Sequence, residues 1–473
     1  MLGGALITFG LPFIFDWTGG DGRALYGQYY DISNTLSIFS MVLIGGLLPT
    51  FSRFVAHQGN DEHKLLAMGK RLANRIGLLL LLIFSALSWF IAEWREHPRL
   101  WFAYICAGTI CLSYAHYAVN VGFINGQQKF LKQAKLDICF TTMKVFFVLG
   151  AALFGFGVNG AFAGFATAAL CIWMLSTKWL GPMSQGDLIP TGVIKFAVGM
   201  VLYTLVFNLS FKIDAFFIRN KLQAILLDPT TADQLLGEYG IAVSLSRLPW
   251  QATIALTLVI FPMLSATTFS NDAEKSRFYV QNTLRYALIL ITIVAAPLCL
   301  KPTWFFELLP KYHAGSTALV WLAPAYVFFS IANLQHTMLL SSGDSRAALL
   351  LMALMLILSA LALHYGLSDI SVGVSVLGRS AKMLLLSFAI ATGCGAFVIK
   401  RKFGGYLDPL SILRCGIVLF SLHLIGNELY LGDRRIKILL LGLCPIVTCA
   451  LLTMIKEIRM SDFQSLKRLV RRK

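Results

Sequence analysis

Long apolar runs recur along the whole chain and are separated by short polar breaks. Runs of about 17–25 residues are long enough to cross a bilayer as helices, because about 20 residues span its hydrocarbon core. The pattern predicts fourteen such helices, near residues 1–17, 32–55, 76–94, 100–121, 136–155, 158–179, 193–219, 239–265, 284–305, 316–340, 347–365, 372–399, 410–429 and 436–455. No break is long enough for a soluble domain. The expected fold is therefore an all-α polytopic membrane protein.

The amino-acid composition supports that expectation and excludes several classes of protein. The chain has 473 residues, of which 57% are apolar and 13% are charged. An ordinary soluble domain is about 25% charged, so this chain cannot cover a water-facing surface of its size. The composition thus excludes a soluble globular enzyme, a disordered chain and a nucleic-acid-binding domain. The net charge of +17 must be read segment by segment, because cationic loops also set membrane orientation.

The polar breaks form two alternating sets that differ in their numbers of Lys and Arg. One set, which includes the C-terminal tail, carries 25 basic residues, and the other carries 10. Basic loops stay in the cytoplasm, so we expect both termini to be cytoplasmic. The external loop with Arg434, Arg435 and Lys437 is the exception to this pattern. The tail, 456–473, is expected to be either an amphipathic helix on the inner leaflet or a solvated topological anchor.

Three sequence landmarks occur twice in the same order. They are Gly27 with Gly237, Pro49 with Pro262, and Asn60 with Asn271, at offsets of 210, 213 and 211 residues. This offset separates the second predicted helix from the eighth, so the repeat unit has six helices. An even number of helices returns the chain to the same side, which makes the two units parallel. Twin bundles of this kind are an architecture of transporters.

The repeat predicts three parts of the chain. An N-terminal six-helix bundle covers 1–187 and a C-terminal six-helix bundle covers 188–400. Helices 13 and 14, with the basic cytoplasmic tail, cover 401–473.

Ionisable side chains at membrane depth are costly and usually face a wet cavity or a partner. The expected lining of a cationic, substrate-binding cavity is Arg247, Arg379, Lys382, Arg53 and Lys144. The candidates for coupling or gating are Asp137, Asp214 and Lys212. Six cations against two anions would attract a phosphate, carboxylate or pyrophosphate.

Several of these side chains have a simpler alternative role. Arg53 could reach the headgroups along its aliphatic stem. Asp137 and Lys144 are seven residues apart on one helix face and could form an interfacial pair. Lys212 and Asp214 could lie at the external interface.

Patterns typical of metal, nucleotide or covalent chemistry are missing from the sequence. The nine cysteines form no CxxC pair, and the chain has neither an HExxH motif nor a GxxxxGK[ST] loop. We therefore expect no metal and no cofactor. His116, His336 and His423 lie in apolar helices, where a hydrogen-bonded structural role is favoured over a proton relay.

Several short motifs resemble those of a known family. They are Gly27-Gln-Tyr, Arg53, Gly157-Val-Asn-Gly160, Ile213-Asp214, Gly237-Glu-Tyr, Leu248-Pro249, Phe261-Pro262 and Ser342-Gly343. Together with the helix count and the repeat, they resemble the Wzx-type polysaccharide flippases of the multidrug/oligosaccharidyl-lipid/polysaccharide exporter superfamily. The chain departs from that pattern in its short first helix and in an inserted stretch, 223–233.

The resemblance implies a flippase for undecaprenyl-pyrophosphate-linked oligosaccharides in a bacterial inner membrane, serving O-antigen, capsule or exopolysaccharide assembly. By resemblance, Arg53, Asp214 and Arg247 occupy places typical of the family. The implied partners are the lipid-linked oligosaccharide, membrane lipids, and a polysaccharide polymerase with its glycosyltransferases.

Three other functions stay open at this point. A lipid II flippase for peptidoglycan would need the same cationic cavity. A multidrug or cation antiporter of the same superfamily would need acidic residues in its lumen, whereas cations predominate here. The twin-bundle repeat argues against a membrane scaffold without transport. An enzyme is not expected, because no large external loop holds a catalytic acidic cluster.

Overall fold

The computed structural model describes residues 2–58, 62–180, 192–269, 272–309, 311–429 and 432–458. Within these ranges every regular element is a helix, as the apolar pattern predicts. The chain divides into two compact units, Met1–Gly237 and Glu238–Lys473.

The first unit is organised around its fourth helix. Its elements are α1 (Leu2–Trp17), α2 (Gly22–Gln58), α3 (Glu62–Trp94), α4 (Trp101–Gly126), α5 (Phe130–Leu153), α6 (Gly157–Leu180), α7 (Val193–Ile225) and the first half of α8 (Pro229–Ser246). Helix α4 packs against α2, α3 and α6, and its apolar stretch is 78% buried, the highest value among the candidate spans. Helices α1 and α5 pack together, and α7 packs against α2.

The second unit is organised around its own central helix, α12. Its elements are the second half of α8, α9 (Leu248–Phe269), α10 (Ala273–Leu300), α11 (Pro302–Glu307), α12 (Gly315–Ser341), α13 (Ser345–Gly366), α14 (Gly373–Phe403), α15 (Pro409–Glu428) and α16 (Arg434–Met454). Helix α12 packs against α9, α10, α13 and α14, and α15 and α16 pack against α10.

The chain segment after α16 is attached to the second unit by a buried carboxylate. Glu457 is 1% exposed and accepts hydrogen bonds from Arg285 and Arg414. These arginines belong to α10 and α15, so one carboxylate joins three segments of the unit.

Twelve helices of the described residues are long and apolar enough to cross a membrane. Helix α1 adds a shorter apolar stretch, Leu6–Trp17. The chain is therefore a multi-pass membrane protein, and the predicted all-α polytopic fold is confirmed.

The eighth predicted span, 239–265, is divided in the structure. Helix α8 ends at Ser246 and α9 begins at Leu248, with Arg247 between them. The Arg247 N–H still donates to the Val243 carbonyl at 3.1 Å. Pro249 explains the break, because proline has no N–H for the fourth preceding carbonyl and its ring crowds that carbonyl.

The boundary between the two compact units lies later than the end of the first predicted bundle at 187. Helix α7, which the repeat places in the second bundle, packs against α2 and belongs to the first compact unit. The division at 187/188 lies outside the described residues, as do the landmarks Asn60 and Asn271 and most of the tail. The division based on the repeat therefore stays a prediction.

Candidate functional site

Arg247 lies at the break between α8 and α9 and is buried, with 9% of its surface exposed. Its Nε donates to the Tyr326 hydroxyl at 2.9 Å, and its guanidinium carbon lies 5.7 Å from the Tyr326 ring centroid. The break places this cation at the start of a new helix and directs it to α12. Burial strengthens its attraction for an anion, because the surroundings screen charge less than water does.

The tyrosine that holds Arg247 belongs to a cluster of four aromatic side chains. The ring of Phe329 lies 5.5 Å from Tyr326, 5.2 Å from Phe388 and 6.2 Å from Trp250, measured between centroids. These four side chains come from α9, α12 and α14. We call them the aromatic cluster. Tyr326, Phe329 and Phe388 are each 1% exposed, so they pack the interior beside the guanidinium, and Trp250 is the partly exposed member of the cluster.

The two predicted cations of α14 diverge in the structure. The Lys382 ammonium lies 4.5 Å from the Trp321 ring centroid on α12. The Arg379 Nε instead donates to the Gly366 carbonyl at the end of α13, at 3.3 Å. Trp321 is five residues, about 7.5 Å, before Tyr326 along α12. Five residues also turn an α-helix by about 1.4 turns. Lys382 and Arg247 therefore contact different faces of α12, and Arg379 contacts α13.

The predicted residues of α2 and α7 occur along the packing of these two helices. The Arg53 guanidinium is exposed and lies 4.6 Å from the Phe196 ring centroid. The Lys212 ammonium donates to Asn34 Oδ1 at 2.6 Å. Asp214, two residues further on, is 3% exposed. Two of these side chains thus link α2 to α7 at separate points.

Asp137 and Lys144 share a helix but contact different residues. The Tyr117 hydroxyl donates to the Asp137 carboxylate at 2.7 Å. The Lys144 ammonium lies over the Phe165 ring, 3.8 Å from its centroid. From α5, Asp137 thus contacts α4, whereas Lys144 contacts α6.

A buried ionic network in the first unit was not found by reasoning from the sequence. Arg219 on α7 and Asp233 on α8 form an ion pair in which both side chains are fully buried. Gln28 Nε2 donates to Asp233 at 2.9 Å, and His97 Nε2 lies 2.8 Å from the same carboxylate. Arg219 also donates to the Arg95 carbonyl at 3.0 Å. Four segments of the first unit thus meet at one carboxylate.

This network needs the close approach of two helices. A Cβ on Gly27 would lie 1.9 Å from the Asp233 carbonyl oxygen, so only glycine allows α2 to pass α8 at this distance. The sequence offered one signal, since Gly27 and Gly237 are repeat landmarks. Apart from that signal, the sequence pattern places Arg95 and Arg219 in loops and Asp233 at the end of the inserted stretch.

His116 and His423 make a stacking contact and a hydrogen bond within the described part of the chain. His116 stacks on Trp173 at 4.3 Å between centroids, and His423 Nδ1 lies 2.9 Å from the Cys299 carbonyl oxygen. All nine cysteines are free thiols. The described residues contain no group of three or more His, Cys, Asp or Glu side chains that could hold a metal ion.

Comparison with known proteins places these features in a family and a fold. A family model described as polysaccharide biosynthesis protein matches residues 47–309. The structure is similar to the lipid II flippase MurJ in an inward closed conformation, with 13% identity, a TM-score of 0.68, and coverage of 94% of this chain and 97% of that chain. No curated protein matches the chain.

Multidrug resistance MATE family transporters of the MOP superfamily have a similar fold. For an inward-facing structure the TM-score is 0.62 at 13% identity, with 84% of this chain and 98% of that chain covered. For an outward-facing structure it is 0.60 at 14% identity, with 85% and 93% covered.

Proposed function

The chain belongs to the polysaccharide biosynthesis protein family, and from that membership we propose that it is a flippase for an undecaprenyl-pyrophosphate-linked oligosaccharide. The proposed setting is a bacterial inner membrane with both termini in the cytoplasm, and the product serves O-antigen or exopolysaccharide synthesis. The compared structures are a flippase and transporters, which supports transport rather than enzymatic catalysis. A polysaccharide polymerase and glycosyltransferases are proposed partners.

The observation that carries this proposal is the buried cation at the helix break. Arg247 is held by Tyr326 of the aromatic cluster, and Lys382 stacks on Trp321, five residues earlier on the same helix. A guanidinium binds phosphate oxygens in a bidentate way, and an ammonium adds a second positive charge. The buried guanidinium thus suits a pyrophosphate, and the partly exposed Trp250 ring suits the first sugar.

The proposed mechanism is alternating access without covalent chemistry. The headgroup binds from the cytoplasmic side, the protein changes conformation, and the headgroup leaves on the other side while the polyprenyl tail stays in lipid. Each elementary charge that crosses is worth about 2.3 kcal/mol per 100 mV of membrane potential. A negatively charged headgroup leaving a negative interior is therefore assisted by that potential. Asp137, Asp214 and Lys212 stay candidates for coupling or gating.

The test is a flipping assay in liposomes that contain a polyprenyl-pyrophosphate oligosaccharide. We expect Arg247→Ala to slow flipping by about 10- to 100-fold, because a hydrogen bond to a charged group contributes about 1.5–3 kcal/mol. Lys382→Ala should have a smaller effect, since its ammonium is exposed. Normal flipping by a well-folded Arg247→Ala protein would contradict the proposed site.

Arg379 provides a matched comparison on the same helix as Lys382. The sequence places it in the cavity, whereas its contact with the Gly366 carbonyl predicts a small effect. We expect Arg379→Ala to retain most of the flipping rate. A loss of flipping rate as large as that of Arg247→Ala would instead indicate that Arg379 belongs to the substrate site.

Lipid II transport is a second candidate function, favoured by the similarity to a lipid II flippase. Both substrates present a pyrophosphate, so the cationic site fits either. Liposomes that contain lipid II distinguish the two, because a flippase for surface polysaccharide should move the oligosaccharide-linked lipid faster.

A further inference from the structure

A second cationic site lies in the first unit, at the turn between α4 and α5 and the end of α6. It is a cavity of about 760 Å³, and its lining residues are Gln128, Lys129, Phe130, Leu131, Lys132, Lys135 and Trp179. We call it the lysine pocket. None of the residues proposed above for the flippase lines it.

Three lysines supply the charge of the lysine pocket, and its lining residues include no acid. Lys129, Lys132 and Lys135 follow one another at intervals of three residues at the start of α5. Side chains at this spacing lie on neighbouring parts of a helix surface. The charge of the pocket is therefore uncompensated by its own lining.

Lys132 is held in place and keeps donors for a ligand. Its ammonium donates to the Trp179 carbonyl and lies 5.9 Å from the Trp179 ring centroid. An ammonium has three N–H donors, so two remain for a bound anion. Trp179 itself packs against the buried core cluster that includes Ile124 and Leu136. The wall of the pocket is thus anchored in the interior of the unit.

The rim of the lysine pocket is apolar. Phe130 is 59% exposed and Leu131 is 73% exposed, and both lie between the lysines in sequence. An aromatic and an aliphatic side chain beside cations are typical of a surface that enters the boundary between headgroups and acyl chains. The same loop carries three cations and falls in the set expected to face the cytoplasm.

We propose that the lysine pocket binds the phosphate headgroup of an anionic phospholipid of the cytoplasmic leaflet. The phosphate accepts hydrogen bonds from the lysine ammonium groups, and Phe130 and Leu131 contact the upper acyl chains. This proposal goes beyond flipping, since it concerns a resident lipid and needs no transport. Its role is to hold the start of α5 and the end of α6 at the inner leaflet.

The test counts lipids bound to the purified full-length chain by native mass spectrometry, with phosphatidylglycerol as the probe. The test variant is Lys129→Gln/Lys132→Gln/Lys135→Gln, and we expect about a fivefold loss of affinity for each lysine. The triple Lys→Arg variant should retain binding because it keeps the charge. The matched control is Lys400→Gln/Arg401→Gln, which removes exposed cations at the end of α14 and should leave binding unchanged.

Competition with other ligands shows whether the bound phosphate belongs to an anionic phospholipid, a soluble molecule or undecaprenyl phosphate. Phosphatidylcholine should bind the wild-type chain weakly, and soluble glycerol phosphate should not compete, because neither combines net negative charge with acyl chains. Phosphatidylglycerol occupancy equal in the Lys→Gln and control variants would overturn the proposal. Preference for undecaprenyl phosphate over phosphatidylglycerol would also overturn it, since it would assign the pocket to the substrate. If Lys132→Gln impairs folding, Lys129→Gln/Lys135→Gln changes only exposed side chains and serves instead.

Discussion

The buried pair of Arg219 and Asp233 allows a quantitative test of the packing in the first unit. Both side chains are fully buried, and the carboxylate also binds Gln28 and His97. We consider Arg219→Leu and Asp233→Leu, singly and together. Leucine removes the charge and leaves a side chain that can pack in an apolar interior.

Each single change should destabilise the protein strongly. Removing one partner leaves the other charge buried and uncompensated, which costs about 3–5 kcal/mol. The double change removes both charges. Replacing a buried ion pair by apolar side chains is often neutral or stabilising, and the remaining polar groups of Gln28 and His97 are only half-buried and can be hydrated. The double variant should therefore lose less than about 2 kcal/mol.

The assay is unfolding of the purified protein in mild detergent by titration with a denaturing detergent, followed by circular dichroism. A double-mutant cycle then gives the interaction free energy of the two side chains. We expect a coupling of at least about 3 kcal/mol. Additive single effects, with a coupling near zero, would refute the ion pair as the element that joins α7 to α8.

Three further predictions concern other parts of the fold. Gly27→Ala should cost at least about 1–3 kcal/mol of unfolding free energy, because its Cβ meets a backbone carbonyl, whereas Gly199→Ala has open space and should be neutral or stabilising. The pKa of the Asp344 carboxyl is lowered by a hydrogen bond from Lys402 and by a hydrogen bond from the first turn of α13. The ionised carboxylate therefore stabilises the folded protein above about pH 4, and this stabilisation is lost as the pH falls through the pKa of the folded state. Asp344→Ala should thus cost about 1 kcal/mol at pH 7 and progressively less below about pH 4, measured by thermal unfolding at each pH. Glu457→Gln should speed tryptic cleavage of the C-terminal segment about tenfold on a gel time course, and an unchanged rate would contradict its role in attaching that segment.

The transmembrane helices could be predicted from the sequence because their signal is local. A stretch of about 20 apolar residues satisfies its backbone within one helix, so its length and hydropathy identify it without knowledge of any neighbour. The eighth span shows the limit of this reasoning. Its hydropathy is continuous across Arg247, but the break before Pro249 depends on a backbone hydrogen bond that proline cannot make.

The candidate site could be predicted only in part. The sequence identifies Arg247 and Lys382 as charges at membrane depth, because such charges are rare and costly. It groups Arg379 with Lys382 in the lining of one cavity, although the two contact different helices. It gives no partner for Arg247, since Tyr326 is 79 residues away along the chain.

The sequence by itself determined that this protein is an all-helical, multi-pass membrane protein. It also predicted an internal repeat and indicated which rare charges are candidates for a functional role. Only the tertiary structure decided what those charges contact. It brought Gln28 to Asp233 across 205 residues and held Arg219 in a fully buried pair. The physical reason is one of range. The hydropathy of a segment by itself decides whether that segment enters the bilayer. An ion pair, in contrast, depends on which helices pack together and how closely their backbones approach.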